Sequence, residues 1–240
     1  NPHLNKEGWF KASDLIIIVS ESSAADLAHF QPQLAGRIRR IHLYSTFNSE
    51  SHRCKPASLR DSYRPYLLSI GSRSGYKNAS MLARAFAASS PGRHGHQLIF
   101  AGGGRFTKEE LAMIERLGIA SHVQQLSVTD AELWHLYLNA KAVLVPSMAE
   151  GFSLPLVEAL AADIPVICSD IPVHREVAGS FASLINPLQH QDWADIMSCV
   201  ASIKKPSEIL GTQRFKERCN YFSKERMVAE HVKAYSDLLT

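Results

Sequence analysis

The segment "AVLVPSMAEGFSLPLVEALAADIPVICSD", residues 142–170, reads as strand, loop, helix and strand in one unbroken unit. "AVLVPS" (142–147) is a continuous apolar run, and "PVICSD" (165–170) opens a second. Strands apolar throughout lie in sheets covered on both faces. The helix between them begins near Leu154, with Pro155 in its first turn, where a missing N–H costs nothing. At 100° per residue Leu154, Leu156, Val157, Leu160 and Ala161 fall on one apolar arc of roughly 160°, and Glu158 sits about 40° past its edge, beside Leu154.

The same alternation extends outward. "YLLSIGS" (66–72), "QLIFAGGG" (97–104), "HVQQLS" (122–127) and "ASLINP" (182–187) read as strands. Helices lie between them: "NASMLARAFAASS" (78–90), opened by Asn78, then "KEELAMIERLG" and "DAELWHLYLNA". Thr107 with Glu110, and Thr129 with Glu132, make capping boxes for the last two. Met81, Leu82, Ala85 and Phe86 form a buried face, and Trp134 and Tyr137, one turn apart, read as core packing. This order predicts an α/β fold, a Rossmann-like parallel sheet with helices on both faces. Ligands of such sheets sit at the carboxyl ends of the strands.

The ends of the chain read differently. "ASDLIIIVSESSAADLAHF" is a further strand and helix and "GRIRRIHLY" (36–44) a short strand. "NSESHRCKPASLRDSYRP" (48–65) is polar and unpatterned. "SKERMVAEHVKAYSDLL" (223–239) is a long amphipathic helix beginning at Ser223. The divisions are therefore 1–50, the tail of a preceding domain; 51–65, a linker; 66–222, the main domain; and 223–240, the terminal helix. The start at Asn-Pro-His, without a methionine, suggests a fragment of something longer.

Composition narrows the function classes. The 240 residues are 45% apolar with a net charge of +3, and the basic residues are scattered rather than striped, which argues against a nucleic-acid surface. The four cysteines form no C-x-x-C pair, so a disulfide framework or structural zinc site is not expected and a reducing cytoplasm fits. The eleven histidines show no metal-ligand spacing, and no D-x-D pair suggests a divalent ion holding a diphosphate. No run of about 18 apolar residues spans a membrane.

The loop Glu150-Gly151-Phe152-Ser153 precedes the helix, so its N–H groups and the first helical ones lack intrahelical partners. Such ends bind phosphate through those donors and the positive end of the helix dipole. Gly151 lets the backbone approach closely. Glu150 would hold neutral hydroxyls beyond it, and Glu158 could accept two hydrogen bonds from a diol such as a ribose. "GSRSGYKN" (71–78) follows the first strand of the main domain and brings Arg73 and Lys77 toward the same side, a cation pair suited to a diphosphate. Gly102–Gly104 lacks the lysine and serine of a phosphate loop and reads as a strand-end turn. His174 reads as a loop or helix-start residue.

These blocks resemble retaining glycosyltransferases of family 4, the group 1 enzymes with the GT-B fold. Their signature is a glutamate, seven residues and a second glutamate, with G-F-x-L-P between, which "EGFSLPLVE" (150–158) matches. "LLSIGSRSGYKN", "LIFAGGG", "AELWHLYLNAKAVLVPS" and "IPVICSDIPVHREVAG" match in order. The resemblance implies that Glu158 binds the ribose of a nucleotide sugar and Glu150 the transferred hexose. The amides of Phe152, Ser153 and Leu154 would hold sugar and diphosphate. Arg73 and Lys77 would neutralise the leaving diphosphate, each contributing a few kcal/mol on the scale of about 3 kcal/mol per electrostatic donor. Gly71 belongs to the donor site, and the base would lie at Leu126, Ser127 and Val128. Ser153 and Ser127 stand where many relatives carry glycine.

The resemblance further implies a metal-independent, cofactor-free, configuration-retaining transfer of hexose to a surface polysaccharide or glycolipid. The turn "R-x-x-x-K-N" favours a GDP-mannose-like donor over a UDP-hexose. Other readings are a nucleotide-sugar epimerase of the same fold and a non-catalytic nucleotide-sugar-binding domain. The expected partners are the donor, a glycan or glycolipid acceptor and the absent amino-terminal domain, on which the terminal helix would pack. The expected location is cytoplasmic, with peripheral contact to the inner face of the membrane.

Overall fold

A computed structural model describes residues 6–47 and 64–239. The linker at 51–65 lies outside the described residues but for its last two, and Cys54 with it.

The first unit contains α1 (Lys6–Ala12), β1 (Ile16–Ile18), α2 (Glu21–Phe30) and β2 (Ile38–Arg40). Its two strands pair in parallel, Ile16 against Ile38. They form a sheet of their own, separate from the main one.

The main unit begins with β3 (Tyr66–Ile70), α3 (Ala79–Ala88), α4 (Ser90–Arg93), β4 (Gln97–Ala101), α5 (Lys108–Arg116) and β5 (Val123–Leu126). It continues with α6 (Asp130–Asn139), β6 (Ala142–Val145), α7 (Leu154–Ala161), β7 (Val166–Ser169), α8 (Pro172–Ala178) and β8 (Ser183–Ile185). It closes with α9 (His190–Ser198), α10 (Pro206–Leu210), α11 (Thr212–Tyr221) and α12 (Lys224–Leu239). The six strands of the main sheet are all parallel, in the order β5-β4-β3-β6-β7-β8.

Alternate strand residues feed two cores. Leu67, Leu98, Leu144 and Ile167 pack with Leu82 and Phe86 of α3, Ile114 of α5 and Trp193 of α9. Leu68, Ile99, Val143 and Val166 pack on the other face with Trp134 of α6, Leu156 and Leu160 of α7, and Val177 of α8. Each Leu or Ile so buried stabilises the sheet by roughly 1.5–3 kcal/mol. This double coverage explains why β6, at the centre of the sheet, is apolar at every position.

Strand order reverses at β3. From β3 the chain moves outward through β4 to β5, then crosses by α6 to β6 on the opposite side. The loops after β3 and β6 therefore lie side by side at the carboxyl edge of the reversal point, where open parallel sheets bind ligands.

Both capping boxes form, at Thr107/Glu110 and Thr129/Glu132. Asn78 departs from its expected role. It stands before α3 with φ +58° and makes no side-chain cap. In that left-handed conformation, which asparagine tolerates, Nδ2 instead donates to the carbonyls of Pro146 (3.3 Å) and Pro187 (2.8 Å). The face of α7 also turns: Leu156, Val157, Ala159 and Leu160 are buried while Leu154 is 39% exposed. Small Ala159 meets the core, and Leu154 is turned outward.

α12 starts one residue after Ser223, whose Oγ accepts from the Arg226 amide (3.3 Å). The helix passes near the first unit, close enough for Glu230 to raise the Arg40 pKa and Arg226 to lower that of His42, although burial is the larger influence on each. Among the described residues no helix is long and apolar enough to cross a membrane.

Candidate active site

The loops after β3 and β6 are stitched together before any side-chain chemistry begins. The Met148 amide donates to the Tyr76 carbonyl (2.7 Å), and Asn78 reaches Pro146 from the same side. This seats Lys77 over the end of β6, with Nζ 3.0 Å from Glu150 Oε1. The Glu150 side chain is only 3% exposed, against 23% for Lys77.

Glu150 is thus a buried carboxylate rather than an exposed loop acid. Burial pushes its carboxyl up, but His174, the Ser147 hydroxyl and Lys77 outweigh that and hold it down at about 2. His174, on α8, is fully buried. Its Nδ1 donates to the Ser169 carbonyl (2.9 Å), and Nε2 faces Glu150 Oε2 at 3.9 Å. The sequence placed His174 correctly near a helix start. It carried no signal that α8 would turn the ring onto Glu150.

Arg73, expected beside Lys77 as a cation pair, takes a separate set of partners. Its guanidinium turns toward β4 and α5. Nε donates to Glu110 Oε1 (2.8 Å) and Nη2 to Glu110 Oε2 (3.2 Å). Nη1 donates to the Gly102 carbonyl (3.1 Å), and Nη2 also to those of Gly104 and Arg105 (both 3.0 Å). Phe106 lies under it, 4.7 Å from ring centre to Cζ. The side chain is 5% exposed. Three successive positive-φ glycines, 102–104, supply the backbone course that aims those carbonyls. Gly103 admits no side chain, because a Cβ there would lie 2.8 Å from both Arg73 Nη1 and the Gly71 carbonyl. The Gly-rich turn is therefore a strand-end turn, and it is also the cradle of Arg73. Three glycines after a strand were the available signal for such a cradle.

A cavity of about 390 Å³ lies on this α3–α5 side, lined by Arg73, Phe100, Phe106 and Glu110 among others. Neither Lys77, Glu150 nor Glu158 borders it.

Beyond Glu150, the amides of Phe152, Ser153 and Leu154 precede or open α7, and no intrahelical carbonyl is available to them. Gly151 and Phe152 face the first unit: the Gly151 carbonyl accepts from Ser23 Oγ (3.2 Å), and the Phe152 ring lies 5.7 Å from that of His42. Ser153 is buried, with Oγ lacking a partner among the described residues. One turn into α7, Glu158 is half-buried and its Oε2 accepts from the Tyr137 hydroxyl at 2.5 Å. Burial raises the Glu158 carboxyl, an effect that Tyr137 opposes and Asp130 reinforces.

Gly71 closes β3 with φ +98°, its amide on the Ala101 carbonyl (2.9 Å). Ser127 is exposed just past β5, its hydroxyl 3.3 Å from Gln125 Nε2, and Val128 packs at the edge of the α6–α7 core. Lys77 and Glu150 thus pair with each other, Glu158 with Tyr137, and Arg73 with Glu110.

The model of the family described as "Glycosyl transferases group 1" matches residues 52–217, well over half of the chain. The chain belongs to the group 1 glycosyltransferases. Within this family it is similar to the O-antigen chain mannosyltransferase RfbU of Salmonella typhimurium, 35% identical over 97 residues, 40% of this chain and 27% of that protein. It is also similar to the O-antigen chain mannosyltransferase B of Escherichia coli, 28% identical over 184 residues, 73% of this chain and 48% of that one. The chain spans less than half the length of each of these two.

Among solved structures, the sucrose-phosphate synthase of Thermosynechococcus elongatus superposes with a TM-score of 0.75 at 21% identity, over 98% of this chain and 60% of that one. Anabaena Alr3699/HepE, in complex with UDP, gives 0.75 at 19% identity over 99% and 68%. These likenesses agree with the GT-B arrangement in fold. The matched range includes the stretch 150–158, which spans the buried Glu150, the α7 amides and Glu158.

Proposed function

We propose that this chain is the donor-binding half of a retaining hexosyltransferase that moves a hexose from a nucleotide sugar, with GDP-mannose favoured, to a growing surface polysaccharide or glycolipid. The observation that carries the reading is the Lys77–Glu150 pair at the sheet's reversal point, with the α7 amides and Glu158 continuing the same edge. Similarity to two O-antigen mannosyltransferases supports mannose as the sugar.

In this reading the diphosphate lies over the α7 amides and draws the Lys77 ammonium, while Glu158 Oε1 accepts from the ribose diol. Glu150, ionised through the whole neutral range, accepts from hydroxyls of the hexose through Oε1 once Lys77 turns from it to the diphosphate. The anomeric C1–O bond to phosphate breaks as charge builds on the leaving oxygens, which Lys77 and the helix amides stabilise. The acceptor oxygen bonds to C1 on the same face and gives its proton to the departing phosphate. Positioning and charge stabilisation do the work, and no protein nucleophile takes part. Arg73, tied down beneath the loop, shapes it rather than touching the donor.

Calorimetric titration of the chain with GDP, UDP and ADP, repeated on Glu158→Ala, tests the proposal. Selective GDP binding that the substitution abolishes is expected. Selective UDP binding would move the donor to a UDP-hexose. Equal, weak binding of all three would remove the donor-site reading.

A further inference from the structure

We propose that Tyr137 is a positioning residue of the donor site, fixing the Glu158 carboxylate so that a single oxygen is presented to the ribose. The inference rests on the donor-site reading above and adds a residue from a different helix to it.

The Tyr137 ring is fully buried, with Phe47 at 6.0 Å, so its sequence reading as core packing holds for the ring. The hydroxyl does something else. It donates across from α6 to Glu158 Oε2 on α7 at 2.5 Å, a short charge-assisted hydrogen bond. A buried tyrosine hydroxyl needs a partner, but a backbone carbonyl suffices. Tyr66 shows this one strand away: its hydroxyl donates to the Leu136 carbonyl at 2.8 Å. Tyr137 uses instead the second glutamate of the family signature.

The consequence is geometric. Ala159, Ala161 and Ala162 beside Glu158 carry no polar groups, so nothing else on α7 would hold its carboxylate. With Oε2 engaged, the carboxylate plane is set by a rigid, close-packed ring. Oε1 is the oxygen left for a ligand, and it is not among the buried, unpartnered atoms. An acceptor fixed in advance loses less conformational freedom on binding than a loose one. It also favours one orientation of a vicinal diol, so Tyr137 governs the preference for ribose over deoxyribose without touching the ligand.

The test titrates wild type, Tyr137→Phe and Glu158→Gln with GDP and UDP and with their 2′-deoxy counterparts. Wild type is expected to prefer the ribonucleotide clearly. Tyr137→Phe should weaken ribonucleotide binding about five- to twentyfold and leave the deoxynucleotide within about twofold, so that the preference collapses, as expected for the loss of one charge-assisted hydrogen bond. A purely structural tyrosine would lower the melting temperature and leave the preference intact, and that result overturns the inference. If Glu158→Gln changes no affinity, or if no nucleotide binds wild type, the donor-site reading falls and this inference with it.

A second measurement avoids altering the core. The Tyr137 hydroxyl proton should resonate downfield by NMR, move upfield in Glu158→Gln, and shift on adding the ribonucleotide more than on adding the deoxynucleotide. Equal response to both nucleotides overturns the inference.

Discussion

Lys77 Nζ lies 3.0 Å from Glu150 Oε1 and so joins the loop after β3 to the loop after β6, across the point where the sheet reverses its order. The carboxylate is nearly inaccessible, whereas the ammonium keeps a quarter of its side chain in solvent. The cation is the partner free to turn toward a ligand.

Lys77→Ala should therefore act twice. It leaves Glu150 with one counter-charge fewer, and breaking such a pair costs on the order of 2–3 kcal/mol, somewhat less than for a fully buried one. It also removes the ammonium proposed to meet the diphosphate. GDP affinity should fall at least tenfold while guanosine affinity holds, measured by calorimetry on both ligands. Equal losses for the two would place Lys77 away from the phosphates.

Arg73→Met should behave in the opposite way. Five hydrogen bonds and a Phe106 face are lost, and Glu110 keeps only its capping role, so stability should drop by about 3 kcal/mol. Nucleotide affinity of the folded protein should stay within about twofold, since the guanidinium is engaged by Glu110 and the glycine carbonyls instead. Gly103→Ala should destabilise too, by about 1–3 kcal/mol from its positive φ alone. Chemical denaturation with parallel titrations checks both variants. A loss of GDP affinity in Arg73→Met equal to that of Lys77→Ala would return Arg73 to the donor site.

Acid should weaken the fold through Glu150. Its carboxyl is held down at about 2 in the folded chain against the ordinary glutamate value of 4.5. The folded value is the lower one, so the stabilisation is complete above the unfolded value and is lost as pH falls toward 2. Up to about 3 kcal/mol is involved. Denaturation curves of wild type and Glu150→Gln between pH 6 and about pH 3 should converge as the pH drops. Parallel curves would show that the carboxylate contributes nothing special.

Glu176 holds the first unit to the main one. Its Oε1 accepts from the Glu21 amide (2.8 Å) and from His42 Nε2 (2.6 Å), and its Oε2 from the Ser22 amide (3.3 Å). An anion at the start of α2 is also favoured by the helix dipole. Arg40 Nη1 can only donate, so His42 Nδ1 accepts from it (3.1 Å) and Nε2–H donates to Glu176; burial lowers the His42 pKa, an effect that the Glu176 hydrogen bond opposes and Arg40 reinforces. Glu176→Ala should speed amide exchange in residues 16–30 by about tenfold, equivalent to roughly 1.4 kcal/mol, with β3–β8 unchanged. Uniform acceleration across the main sheet would mean that the first unit contributes to its global stability.

The sequence alone determined the parallel, doubly covered sheet, both capping boxes and the loop-to-helix course of 150–158. Those features are local: strand periodicity, a cap and a helix start are written in residues within one or two turns of each other. It also named Lys77, Glu150 and Glu158, because each follows a strand end or sits in the first turns of a helix. Tertiary structure decided which side chains meet. Arg73 and Lys77 are four residues apart, yet the turn between them sends one to Glu110 and the glycine carbonyls and the other to Glu150. Asn78 left its cap to clamp Pro146 and Pro187, Tyr137 found Glu158 on the next helix, and His174 was folded in behind Glu150. Each of these contacts joins segments far apart in the chain, and it is set by which strands lie side by side. No residue type or spacing encodes that by itself, because the same side chains would satisfy other partners in another strand order.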